Sequence, residues 1–62
     1  MNVYEVIGIT LDEKKQPKNL IFGPVIVVAA HEQAAILQAT LENNTILNEY
    51  NPSEVAIRVR PF

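Results

Sequence analysis

Gly23 and Pro24 interrupt LIFGPVIVVAA, the longest apolar stretch in the chain. A run of this kind reads as a strand covered on both faces, yet proline has no amide to give a neighbouring strand and is confined to sheet edges and bulges. The run therefore predicts an edge strand, broken at Gly23-Pro24 into Leu20 to Phe22 and Val25 to Val28. Any sheet this chain builds must leave that strand with a single neighbour.

The neighbour comes first in the sequence. VYEVIGITL is rich in β-branched and aromatic residues and predicts a strand over residues 2 to 11. Val3, Glu5, Ile7, Ile9 and Leu11 fall on one face, and Tyr4, Val6, Gly8 and Thr10 on the other. If the first set faces the core, Glu5 lies at its margin or pairs with an arginine across the sheet. Asp12 to Asn19, DEKKQPKN, is wholly polar, with four charges in a row, and predicts a solvated loop between antiparallel strands.

From Ala29 the period changes. Ala30, Ala34, Leu37 and Leu41 recur at helical spacing and predict a helix from about His31 to Asn43, with this stripe against the sheet. Glu32 suits the positive end of the helix dipole, and Asn43-Asn44 tolerates a left-handed terminus. Ala35, Ile36 and Ala39 lie off the stripe and broaden the apolar surface into a second, smaller contact. Thr45 to Tyr50 fits either a short helical turn or an extended crossing, and Asn51-Pro52 marks a turn. In EVAIRVR, Val55, Ile57 and Val59 alternate with Glu54, Ala56, Arg58 and Arg60, which predicts a half-buried strand ended by Pro61.

The order strand, strand, helix, strand makes the second and third strands parallel to each other and the first antiparallel to both. The third strand can lie beside the first, giving the spatial order 2-1-3, or beside the second; placing the Pro24 strand at an edge favours 2-1-3. The expected architecture is a single α+β domain over residues 1–62: β-β-α-β, a three-stranded mixed sheet with one helix on one face. One helix covers one face only. The other is expected to carry Tyr4, Val6, Ala56 and part of the second strand, and an exposed patch of that kind marks an interface.

Composition narrows the function. Sixty-two residues bury only about 60% of the surface of the unfolded chain, so the core is marginal. With no cysteine and one histidine, neither disulfides nor a cysteine zinc site can supplement it. A protein partner is the remaining supplement, either another protein or a second copy. The net charge of −2 argues against nucleic acid as the partner. No apolar run reaches the roughly 18 residues that cross a bilayer, and the first residues lack the features of a signal peptide.

Catalytic or cofactor chemistry finds little support. His31 and Glu32 are adjacent and so point about 100° apart on a helix, with no second histidine or cysteine to complete a metal site. Gly23-Pro24 lacks the pattern of a phosphate loop, and the sole serine, Ser53, lies in the NPSE turn. Asp12-Glu13 and Lys14-Lys15 neutralise one another. Arg58 and Arg60 share a strand face and are followed by Phe62, a composition suited to anchoring a protein contact. The expected interface is Tyr4, Val6, Arg58, Arg60 and Phe62, with no catalytic, cofactor or metal residues.

The N-terminal VYEV, the segment GPVIVVAAHEQAA with Gly23, Pro24, Ala30 and Ala34, and the ending EVAIRVRPF together resemble small proteins encoded among the structural genes of tailed bacteriophages. The resemblance spans most of the chain; its distinctive parts are the GP-to-AA segment and VRPF, and the Asp12 to Asn19 loop looks shorter than that group leads one to expect. It implies a virion-associated structural role, on the capsid or at a connector, assembled in the host cytoplasm with other virion proteins or with itself. The competing expectation is a small cytoplasmic binding or regulatory module, a homodimer that recognises a host or cellular protein.

Overall fold

A computed structural model describes all 62 residues, Met1–Phe62. The elements follow in the order β1 (Asn2–Leu11), β2 (Pro17–Ala29), α1 (Glu32–Glu42), α2 (Asn44–Leu47), a short 3₁₀ turn (Pro52–Glu54) and β3 (Val55–Pro61). The strands form one sheet in the order β2-β1-β3, with α1 packed across one face. This is an α+β fold. β1 is antiparallel to both neighbours. β2 and β3 do run parallel to each other, but on opposite sides of β1, so every ladder is antiparallel and the sheet is not mixed. No helix is long and apolar enough to cross a membrane.

β2 is one continuous strand rather than two pieces, and its irregularities can be placed residue by residue. Val6 pairs with Val25 and Gly8 with Phe22, which leaves Gly23 and Pro24 opposite Ile7 alone. Ile21 is an extra residue between the Gly8–Phe22 and Ile9–Leu20 pairs, and Lys18 another between Thr10–Asn19 and Leu11–Pro17. Three extra residues are what a strand of 13 needs to accompany one of 10. Gly23 holds its bulge with φ +93, and its peptide bond to Pro24 is cis.

The expected loop shrinks to a turn over Asp12–Gln16. Asp12 Oδ1 accepts from the Lys14 and Gln16 amides at 2.8 and 2.9 Å, and Lys15 takes φ 63. Pro17, Lys18 and Asn19 continue into the strand because β2 is an edge, where a missing amide or a charged side chain is tolerated.

α1 begins at His31, whose Nδ1 accepts the Ala34 amide at 3.2 Å, and ends at Asn43, whose side chain donates to the Ala39 carbonyl at 2.8 Å. Its buried face is rotated from the predicted one, with Ala34 of the predicted stripe kept at the core margin. Ala35 and Ala39 are fully buried, whereas Leu37 and Leu41 are 61% and 62% exposed. The reason is volume: the sheet face beneath already carries Tyr4, Val6, Phe22 and Val27. Only small side chains let the helix come close enough to cover them. Thr45 to Tyr50 opens with the helical turn α2, and Ile46 and Leu47 pack against the core margin.

Tyr4 and Val6 consequently do not lie on the open face. They are core residues beneath α1, and Val6 is fully buried. The other alternation set of β1 faces away from the helix.

Candidate functional site: the open sheet face

Strand register orders the helix-free face into rows. Val28 pairs with Val3, Ile26 with Glu5, and Leu20 with Ile9. On the other side Glu5 pairs with Arg60, Ile7 with Arg58, and Ile9 with Ala56. The Phe62 amide donates to the Val3 carbonyl at 2.9 Å, adding one rung beyond Pro61 and placing Phe62 in the row of Val3 and Val28. From one end the rows read Val28–Val3–Phe62, Ile26–Glu5–Arg60, Ile7–Arg58 and Leu20–Ile9–Ala56. Pairs on one face of an antiparallel sheet lie within side-chain reach of one another.

The face is apolar on its β2 side and charged on its β3 side. Leu20, Ile26, Val28 and Val3 are all exposed. Scattered exposed apolar residues are ordinary, whereas a contiguous group across neighbouring strands marks a contact surface. Arg60 Nε donates to Glu5 Oε1 at 2.6 Å, the cross-sheet arginine pair expected for a carboxylate on this strand. Glu5 is largely shielded while Arg60 is 75% exposed, so the guanidinium retains free donors. Arg58 has no carboxylate within ion-pair distance, and a shallow depression of about 280 Å³ lies between it, Glu5, Ile7 and Arg60.

Of the five residues singled out in the sequence, Arg58, Arg60 and Phe62 come together here, and Tyr4 and Val6 do not. Val3, Leu20, Ile26 and Val28 were absent from that set. Once β2 is an edge strand with one face under a helix, Val28 and Ile26 must point the other way from Val27 and Ala29. The alternation held that signal, but an unbroken apolar run concealed it.

The larger depression, about 690 Å³, lies between the β1–β2 turn and the 3₁₀ turn, among Asp12, Glu13, Glu54, Lys14, Lys15 and Lys18. Its three carboxylates balance its three lysines. Lys15 Nζ donates to the Ser53 carbonyl at 3.0 Å, so the charges tie the two turns together. Compared with protein-family models, curated proteins and solved structures, the chain has no match.

Proposed function

We propose that this chain is a non-catalytic interaction module that docks on another protein through the open sheet face. One observation carries the reading: Leu20, Ile26, Val28, Val3 and Phe62 stand exposed on the side of the sheet that no helix covers. Covering them removes apolar surface from water, while Arg58 and the free donors of Arg60 fix orientation against carboxylates or carbonyls at the rim. A binding role is also supported by where the reactive side chains are spent. The single histidine caps a helix, Asp12 closes a turn, and Glu5 holds Arg60.

The finer reading is a virion-associated subunit, bound to the capsid or a connector. It draws on the likeness of the GP-to-AA segment and of VRPF to small phage structural proteins. The test is sedimentation of the untagged chain, alone and with the products of the genes flanking its own, beside the double variant Ile26→Lys/Val28→Lys. The expected result is a defined complex that the folded double variant does not enter. A complex formed equally well by the double variant, or none with any neighbour, overturns the reading.

A further inference from the structure

The sheet has two free edges, and they differ. β2 carries three extra residues, and Pro17 and Pro24 offer no amide, which makes it a poor template for another strand. β3 pairs with β1 over seven consecutive residues without a shift. Because the Phe62 amide points to β1, so by alternation do those of Arg60, Arg58 and Ala56. The amides and carbonyls of Val55, Ile57 and Val59 point outward. The Val55 amide is held by the Pro52 carbonyl. Neither Ile57 nor Val59 has an outward partner for its amide or carbonyl within the chain.

We infer that β3 pairs antiparallel with β3 of a second copy of this chain, about a two-fold axis through Ile57. The sequence around that residue is self-complementary. Ile57 meets Ile57, Val55 meets Val59, and the small Ala56 meets Arg58, all within the strand, while Glu54 stands outside the ladder in the 3₁₀ turn. β-branched pairs are among the cross-strand pairs that stabilise a ladder. An axis one residue on, at Arg58, sets Arg58 against Arg58. An axis one residue back, at Ala56, pairs only Val55 to Ile57, because Glu54 and Ser53 lie in the 3₁₀ turn and are not extended. The Ile57 register forms roughly four intersubunit hydrogen bonds, from the Ile57 and Val59 amides of each copy. The result is a continuous six-stranded sheet in which the two open faces join into one, with the arginines at its centre.

The edge and the open face are different surfaces, so either contact can fail alone. Sedimentation equilibrium of the full chain is expected to show a micromolar dimer of twice the 6.9 kDa chain mass. Val59→Pro leaves the β1 ladder intact and deletes two intersubunit bonds, and is expected to weaken dimerisation about tenfold or more. Register is read by cysteine, since the chain has none. Ala56→Cys chains mixed with Arg58→Cys chains are expected to cross-link, because Ala56 and Arg58 of the two copies lie about 4.5 Å apart. Ala56→Cys alone is expected to remain unlinked, at a diagonal distance of roughly 8 Å. A chain that stays monomeric at sub-millimolar concentration overturns the inference, as does a dimer in which the mixed cysteines fail to link.

Discussion

Gly8 has no side chain because the Phe22 ring occupies that space: a Cβ there would lie 2.2 Å from the ring. An aromatic residue covering its cross-strand glycine packs the sheet where β2 begins to bulge. Gly8→Ala is expected to cost about 1–3 kcal/mol, as overpacking does. In a Phe22→Leu background the same change is expected to cost less, and urea unfolding of the four chains measures the coupling. Gly23 is stricter. Its φ of +93 suits only glycine, and a Cβ would lie 2.6 Å from the Val6 carbonyl oxygen, a backbone atom that cannot rotate aside. Gly23→Ala is therefore expected to destabilise more than Gly8→Ala, by the same measurement. Arg60 and Glu5 form the one ion pair in the molecule, but Arg60 is mostly in water. Screening leaves such a bridge less than about 1 kcal/mol.

At the scale of elements, α1 depends on its first residue and on its thin inner face. His31→Ala removes the side-chain acceptor for the Ala34 amide and is expected to cost about 1 kcal/mol, whereas His31→Asp keeps an acceptor and adds a favourable charge. Ala35→Leu is expected to destabilise by roughly 1–3 kcal/mol, while Leu37→Glu and Leu41→Glu each stay within about 0.5 kcal/mol. Thermal or urea unfolding of these variants reports which face of α1 is inside. The strands, their order and the span of the helix were legible because alternation, the change of period at Ala29 and the position of Pro24 each answer to backbone geometry. Which side of α1 faces in was not, because leucine outweighs alanine in any count of apolar residues, and the space above Tyr4 and Phe22 is a tertiary fact. For the same reason Tyr4 and Val6 were misplaced. β1 is apolar on both faces, and nothing within it says which one the helix covers. That Arg58 and Arg60 share one face was legible because β3 alternates apolar and charged residues.

Considered whole, the molecule is a two-layer slab measuring 36 × 21 × 15 Å. Its 4372 Å² of accessible surface exceeds the roughly 4,000 Å² typical of a folded monomer of this mass, and only ten of its 62 residues are buried. For a chain so thinly cored, association that favours the folded state raises the unfolding midpoint with concentration. Thermal unfolding at protein concentrations a hundredfold apart is expected to differ by several degrees, and a midpoint independent of concentration counts against self-association. The strand order β2-β1-β3 also sets a schedule for synthesis. The ribosome delivers the central strand first and its second neighbour, Val55–Pro61, only after the helix has emerged. Until α1 follows, β1 and β2 form a lone hairpin, which water leaves marginally stable at best. All seven residues of the core cluster come from β1, β2 and α1, so the core is complete in the nascent chain before β3 is made, and β3 adds to a sheet its helix already covers.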